Sequence, residues 1–409
     1  MKTLLKVSEQ TSWQLLGKAV SAFSTIIILG MIARSLGESE VGILTLALTY
    51  LSFFILISDF GLNAHILPRF IKGNINREWQ KLLGLRAILT LVATLLAATL
   101  VFFWPDQSTV FTYTVLFGLF GVIQPGITLT TTAVFQSKLR FDLSVLASCF
   151  GSLVTLGLVW FFIRYGVGTP TLMVSYALGW SVTGVVALIT VRKYISKLLP
   201  SFDFNFIKKT LLEVWPISAV IVLNLVYFRL DAFILARFYS YAEVGVYNLA
   251  YQIFQTLLVI PAFIMNSYYP LMLKNFSQDL DKFKINLTKA CGMMLGAAVG
   301  GTILTIILAP WVIHLISGGK GFDGSALSLQ ILSLGFPAFF LSSVLMWTLI
   351  ILRRYKTMLV IYLAGLIINI LLNLIFIPQY SYFAASWVTV LSEYFILLAQ
   401  TVILVKYLK

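Results

Sequence analysis

The sequence TMLVIYLAGLIINILLNLIFI, residues 357–377, contains no charged side chain. A helix that crosses a bilayer needs about 20 predominantly apolar residues, so this segment alone is long enough to span a membrane. Its polar residues are few, and two of them, Asn369 and Asn373, are one helical turn apart. The segment therefore predicts a transmembrane helix that carries a small polar face.

Similar apolar segments, separated by charged residues, Pro or Gly, continue in both directions. Twelve spans are predicted, at 11–33, 41–66, 84–104, 109–133, 142–163, 170–191, 213–236, 245–270, 288–316, 326–351, 357–377 and 382–405. Hydrophobic residues make up 59% of the chain and charged residues 11%, with a mean hydropathy of +0.95. These values exclude a soluble globular enzyme, which carries about 25% charged residues. We predict an all-α polytopic membrane protein with 12 transmembrane helices.

The net charge of +14 does not indicate nucleic-acid binding, because the basic residues are spread over many loops. Of the 29 Lys and Arg residues, 23 fall in alternate loops on one side, four fall on the other, and Lys18 and Arg229 lie within spans. Cytoplasmic loops are enriched in Lys and Arg. This distribution predicts that both termini are cytoplasmic, as an even number of spans requires.

The chain also repeats itself at a shift of 203 residues. Glu40-Val41-Gly42 then aligns with Glu243-Val244-Gly245, and Leu46-Ala47 with Leu249-Ala250. We expect two six-helix lobes, residues 1–191 and 213–409, joined by a cytoplasmic linker at 192–212. Because each lobe would enter from the cytoplasm, a pseudo-two-fold axis along the membrane normal should relate them, with substrate between them near the midplane.

Polar residues form stripes at helical spacing inside several predicted spans. Five spans carry such a stripe, namely the first, second, eighth, eleventh and last. The stripes include Gln14, Lys18, Ser21 and Thr25 in the first span, Asn248, Gln252 and Gln255 in the eighth, and Asn369 and Asn373 in the eleventh. Such residues can join helices through hydrogen bonds. They can also line a hydrated cavity, and the number of stripes favours that interpretation.

Ionisable residues inside the spans are candidates for binding or coupling. Lys18 either extends its amine to the cytoplasmic interface or lines the cavity. Arg229 must face water, an anion or a carboxylate, and Asp231 points about 200° away from it on a helix. Glu393 is near the centre of the last span without a basic residue on its own face, and Asp59 lies toward the cytoplasmic end of the second.

Motifs of soluble enzymes are absent from the sequence. It contains no P-loop, GxGxxG, HExxH or paired CxxC motif, so neither ATP hydrolysis nor structural zinc is supported. The predicted non-cytoplasmic loops are short and leave little room for a catalytic surface. We expect no catalytic residues and no cofactor, and an ion gradient as the energy source.

Four short segments resemble one family of membrane proteins. They are Arg34-x-Leu-Gly-x-x-x-Val-Gly42, Gln136-Ser-Lys-Leu-Arg-Phe141, Arg229-Leu-Asp231 through Leu235, and Glu243-Val-Gly-Val-Tyr-Asn-Leu-Ala250. The chain resembles the Wzx-type lipid-linked oligosaccharide flippases of the multidrug/oligosaccharidyl-lipid/polysaccharide exporter superfamily. The length, the twelve predicted spans and the six-plus-six repeat extend this resemblance over the whole chain.

The resemblance implies a V-shaped pair of lobes in the bacterial inner membrane. It also implies flipping of an undecaprenyl-diphosphate-linked O-antigen unit, a step of lipopolysaccharide biosynthesis, driven by a proton or sodium gradient. Membrane lipids would surround the protein, and a glycan polymerase and a chain-length regulator would be its partners. Asp231, Asn369 and Asn373 resemble the cation site of related lipid flippases, which here would hold sodium.

Lys18 and Arg229 would then face the diphosphate, because a phosphate crossing the membrane requires cationic partners. The sugars would contact the polar stripes, namely Gln14, Ser21, Thr25, Asn248, Gln252 and Gln255. Asp231, Glu393 and Asp59 would couple transport to ions, with Glu393 as the proton carrier.

Two alternatives remain at this point. A multidrug cation antiporter of the same superfamily would require an acidic, aromatic cavity, whereas Lys18 and Arg229 make this one partly cationic. A membrane-embedded glycan polymerase or ligase would require a catalytic surface outside the bilayer.

Overall fold

The computed structural model describes residues 2–104 and 108–408. Within these ranges the chain forms helices and no strands, which confirms the predicted all-α fold class. Helices are the expected outcome, because a helix satisfies every backbone N–H and C=O group within a single membrane-crossing segment.

The described residues form fifteen α-helices. They are α1 (Lys2–Leu36), α2 (Glu38–Asp59), α3 (Leu62–Lys72), α4 (Ile75–Leu100), α5 (Thr109–Val122), α6 (Gln124–Ser137), α7 (Phe141–Arg164), α8 (Thr169–Val191), α9 (Phe204–Phe238), α10 (Tyr241–Leu257), α11 (Val259–Gln278), α12 (Leu280–Ser317), α13 (Asp323–Ser333), α14 (Phe336–Ile351) and α15 (Tyr355–Leu408). Ten segments of the described chain are long and apolar enough to cross a membrane, or eleven if the bent pair α13–α14 is one span.

Some predicted spans differ from the observed helices. The second, expected at 41–66, ends at Asp59, because Phe60 and Gly61 both have positive φ and turn the chain before α3. The fourth, expected at 109–133, is divided between α5 and α6, with Pro125 at the start of α6. Residues 357–405 form most of α15, in which Ser381 has φ 53° and ψ −140° and separates two helices. The count of twelve spans and the symmetry of the halves stay predictions.

The chain divides into two compact units. Unit 1 comprises Met1–Leu36 and Ile43–Leu225, and unit 2 comprises Gly37–Gly42 and Val226–Lys409. The division falls within α9, and residues 192–212 lie within unit 1. The predicted lobe boundaries at 191 and 213 stay a prediction.

In unit 1, α7 packs against both α1 and α8, and α8 also packs against α5 and α6. A buried apolar cluster that includes Trp79 of α4 joins α3, α4, α6 and the beginning of α9. In unit 2, α14 packs on α15 and α12, while α13 contacts α10, α12 and α15. These helices position the buried polar groups described next.

Candidate functional site

Arg229 and Gln255, both predicted to bind substrate, lie side by side in unit 2. The Nη2 of Arg229 on α9 donates to Oε1 of Gln255 on α10 over 2.8 Å. The guanidinium carbon is also 5.8 Å from the ring centroid of Tyr251, a cation–π distance. Within the described residues this is the only hydrogen bond recorded for the guanidinium, which has five N–H donors. The other donors are available to an anion.

Asp231 is buried with 3% exposure and receives its hydrogen bonds from neutral donors. The Tyr247 hydroxyl donates to Oδ2, and the backbone N–H of Ala232 donates to Oδ1 over 2.7 Å. No ion pair joins Arg229 to Asp231 in the part of the chain that the structure describes, in line with their opposite directions on the helix.

Glu393 is equally buried and lies where three helices meet. The Tyr227 hydroxyl of α9 donates to Oε2 over 3.0 Å, and the Ser342 hydroxyl of α14 donates to Oε1. The sequence did not reveal these donors, because both lie on other helices. Within the described residues, the carboxyl is thus held by hydroxyl groups and forms no ion pair.

Asn369 and Asn373 form a second polar group on α15. Nδ2 of Asn373 donates to Oδ1 of Asn369 over 3.0 Å, and Nδ2 of Asn369 donates to the Ser392 hydroxyl over 3.2 Å. The buried Oδ1 of Asn373 has no hydrogen-bond partner among the described residues, so it is an acceptor that a cation or a water molecule would satisfy. The hydrogen bonds of Asp231 and those of the asparagines involve different partners, and their joint sodium site stays a prediction.

Clusters of three or more His, Cys, Asp or Glu residues that could hold a metal ion are absent from the described residues.

The stripe of the first span lies on an open face of unit 1. Gln14, Lys18 and Ser21 are exposed, and Thr25 is half-buried with its hydroxyl donating to the Ser21 carbonyl over 2.9 Å. Phe23, 67% exposed, lies on the opposite side of α1. The helix therefore presents one polar and one apolar open face, as a helix between lipid and a hydrated cavity would.

The remaining stripe residues occupy α10. Asn248 is buried, Gln252 is half-buried, and Gln252 precedes Gln255 by three residues on the same side of the helix. Gln255 accepts the hydrogen bond from Arg229 described above.

Asp59 lies near a buried arginine that the charge count assigned to a cytoplasmic loop. Arg86 has 0% exposure, and its Nη2 is 3.6 Å from Oδ1 of Asp59. The guanidinium also donates to the Ser58 carbonyl at 3.3 Å, the Thr130 hydroxyl at 3.1 Å and Asn63 at 2.9 Å. The loop assignment of Arg86 was wrong, since the side chain folds into unit 1 and is satisfied there.

The structure resembles solved membrane transporters. It aligns with lipid II flippase MurJ in an inward closed conformation with a TM-score of 0.79 and 13% identity, over 97% of this chain and 87% of that one. It aligns with an inward-facing multidrug resistance MATE family transporter of the MOP superfamily with a TM-score of 0.72 and 14% identity, over 93% of this chain and 92% of that one. The alignment with the eukaryotic MATE transporter AtDTX14 has a TM-score of 0.66 and 13% identity, over 98% of this chain and 96% of that one. At these identities the likeness establishes the fold.

A search of curated proteins finds no match to the sequence. A family model described as "Polysaccharide biosynthesis protein" matches residues 7–276, about two thirds of the chain. With its many apolar helices and MurJ/MATE-like fold, the chain belongs to the polysaccharide biosynthesis protein family of multi-pass membrane proteins.

Proposed function

We propose that this protein is a flippase that moves undecaprenyl-diphosphate-linked oligosaccharide, the O-antigen repeat unit, from the cytoplasmic to the periplasmic leaflet of the bacterial inner membrane. It acts as a transporter and not as an enzyme. The observation that carries the proposal is the pairing of Arg229 with Gln255 inside unit 2 of a polysaccharide biosynthesis family member.

The chemistry of this pair suits a sugar diphosphate. Arg229 keeps guanidinium donors for phosphate oxygens, and a planar guanidinium binds such oxygens in a bidentate manner. Gln255 supplies an amide that can exchange its bond to Arg229 for bonds to sugar hydroxyls. Lys18 and its exposed stripe on α1 add a second cation and further hydroxyl and amide groups. The polyprenyl chain can stay in the lipid, so the protein has to shield only the head group.

Energy for uphill transport would come from a proton or sodium gradient through alternating access. Glu393 is our candidate proton carrier, because its carboxyl is buried without a cation. Asp231, Asn369 and Asn373 are the candidate sodium ligands, and the unsatisfied Oδ1 of Asn373 supports that role. Asp59, already close to Arg86, would contribute through that ion pair.

The proposal is tested in a strain that lacks the gene and carries it on a plasmid. Lipid-linked oligosaccharide should accumulate on the cytoplasmic leaflet without the plasmid and disappear with it. Normal export in the deletion strain, or restored resistance to cationic drugs without any change in glycan export, would contradict the proposal; the second result would favour a drug antiporter. A glycan polymerase and a chain-length regulator are the partners we expect to act on the exported unit.

A further inference from the structure

Two pockets adjoin on unit 1, at the end of α4 that the Lys and Arg distribution assigns to the cytoplasm. The first has a volume of about 620 Å³, and its polar lining residues are Gln80, Arg192, Ser196 and Lys197. The second is a groove of about 480 Å³ with a mainly apolar lining that includes Leu83, Ala87, Leu91, Ile123, Ile127 and Pro200. Leu199 lines the first pocket and its neighbour Pro200 the second, so the two meet at this segment.

A single face of α4 extends through both pockets. Gln80, Leu83, Ala87, Leu91 and Thr94 follow one another at spacings of three or four residues, and therefore lie in one row along the helix. From Leu83 to Thr94 the row rises by about 16 Å. That length is close to half of the roughly 30 Å hydrocarbon core, which is the depth of one leaflet.

The wall of the polar pocket is firmly attached to α4. Trp79 Nε1 donates to the Leu198 carbonyl over 3.3 Å, and Gln80 Nε2 donates to the Leu199 carbonyl over 3.1 Å. The backbone N–H of Ser201 donates a hydrogen bond to the Gln80 carbonyl over 2.9 Å. A side chain at Gly84 would overlap the carbonyl oxygen of Ser201, so the glycine permits this contact. The pocket is preformed, because its wall is fixed by hydrogen bonds and close packing.

The polar pocket keeps two cations without counter-charges. Arg192 and Lys197 are exposed, and neither forms an ion pair within the described part of the chain. Lys81 of α4 differs from these two cations because its amine is 2.7 Å from Oδ2 of Asp203. The pocket therefore combines uncompensated positive charge with an apolar groove that continues along α4.

We propose that this composite site binds an anionic phospholipid of the cytoplasmic leaflet. Arg192 and Lys197 bind the head-group phosphate, and one acyl chain lies in the groove along Leu83, Ala87 and Leu91. A phospholipid joins a negative head group to an apolar chain at the interface, which matches the charge and polarity of the two pockets. The site consists of residues of unit 1 and does not include Arg229, so the inference is independent of the proposed transport activity.

The test measures lipid retention by the full-length protein. The protein is extracted from vesicles of equal phosphatidylglycerol and phosphatidylcholine, and native mass spectrometry counts the lipids that remain bound. We expect preferential retention of phosphatidylglycerol by the wild type. Arg192→Ala with Lys197→Ala should lower its affinity about fivefold for each cation removed. The matched control, Lys193→Ala with Lys208→Ala, removes the same charge from exposed positions outside the lining and should retain the lipid.

A second arm tests the groove. Ala87 is exposed and Ile127 half-buried, so Ala87→Trp or Ile127→Trp should fill the groove and reduce retention while both cations remain. Undiminished retention in these variants, or equal losses in the cation pair and its control, would overturn the composite site. Displacement of phosphatidylglycerol by inorganic phosphate would show a simple anion site, and retention of undecaprenyl phosphate in place of phosphatidylglycerol would show a substrate site. Either result would overturn the proposal.

Discussion

Arg229 and Arg86 are both arginines inside helices of an apolar protein, and their surroundings differ. Arg86 is fully buried and donates to three partners in addition to its ion pair with Asp59. Arg229 is half-buried and donates to Gln255. A satisfied arginine stabilises the fold, whereas one with free donors can bind a ligand. The sequence predicted a functional role for Arg229 and missed the burial of Arg86, because Arg86 lies at the beginning of an apolar segment.

Arg229→Ala should abolish glycan export while leaving the protein inserted and expressed. Arg229→Lys should restore part of the export, since Lys keeps the charge but loses the planar fork. Gel quantification of exported glycan measures the effect. Arg237→Ala, at the exposed end of the same helix, is the matched control and should export normally. Wild-type export by Arg229→Ala would mean that Arg229 has no part in substrate binding.

Arg86→Ala should instead reduce the amount of folded protein. The Ser58 carbonyl and the Asn63 amide oxygen would lose their donor, and a buried acceptor left unsatisfied costs about 1–3 kcal/mol. A fluorescence-detected melting curve in detergent should show a clearly lower midpoint than for Arg229→Ala. A wild-type midpoint would be evidence against a structural role.

Glu393→Gln separates a proton carrier from a permanently protonated structural acid. Gln resembles the protonated acid in shape and in its bonds to Tyr227 and Ser342, but it cannot release a proton. We expect export to fail while the melting midpoint stays near that of the wild type. Normal transport that still responds to the pH gradient would show that Glu393 is not the carrier. Tyr227→Phe removes one of the two donors and should cause a smaller loss.

The sequence did not predict which side chains would contact the acidic residues. Helical geometry placed Asp231 and Arg229 on different faces, and no ion pair joins them among the described residues. It could not show that Tyr247 would reach Asp231, because that contact depends on how α9 packs against α10. Hydrophobic spacing identifies a face of one helix and says nothing of the helix opposite.

At the scale of the helix, the apolar segments predicted where helices lie along the chain better than where they turn or break. The predicted span at 41–66 did not include the turn at Phe60 and Gly61, and the predicted span at 109–133 did not include the junction of α5 and α6. The sequence predicted a boundary between 377 and 382, where Ser381 interrupts α15. Breaks depend on a few backbone angles, whereas mean hydropathy averages over about 20 residues.

The repeated Glu-Val-Gly segments explain one close helix contact. A Cβ at Gly42 would overlap the Tyr241 carbonyl oxygen, and one at Gly245 would overlap that of Glu38. The beginnings of α2 and α10 therefore touch through their backbones in unit 2, in a contact that only small residues permit.

Gly42→Ala should lower the melting midpoint, because an added methyl group in a well-packed contact costs about 1–3 kcal/mol. Gly157→Ala is the matched control: it also lies in a long apolar helix, but nothing is within 4 Å of its Cβ position. That variant should melt at the wild-type temperature or slightly above it. Equal midpoints for the two variants would contradict the close contact.

At the scale of the whole molecule, the strongest sequence signal is the uneven distribution of Lys and Arg. It predicts that Lys208 and Arg353 face the cytoplasm and that Asp323 faces the outside, and all three are exposed. After replacement of Cys149 and Cys291 by Ser, Asp323→Cys should react with an impermeant maleimide in intact spheroplasts. Lys208→Cys and Arg353→Cys should react only after lysis. Labelling of all three from the same side would refute the topology.

The fold class followed from composition because an apolar chain in a bilayer has few alternatives to a helical bundle. In our proposal, the choice of substrate and coupling ion depends instead on a handful of polar side chains, such as Arg229, Gln255 and Glu393. Composition and periodicity locate these residues on helices, but ligand identity depends on the geometry of side chains from several helices at once.

The measurement that bears most directly on lipid-linked glycan flipping is translocation in proteoliposomes. Purified protein is reconstituted with a fluorescent undecaprenyl-diphosphate oligosaccharide, and a glycosidase added outside reports how much becomes accessible over time. Wild-type protein should expose the inner-leaflet pool, and Arg229→Ala should leave it protected as in protein-free vesicles. Protection by the wild-type protein under both proton and sodium gradients, or equal exposure by Arg229→Ala, would contradict the proposed mechanism.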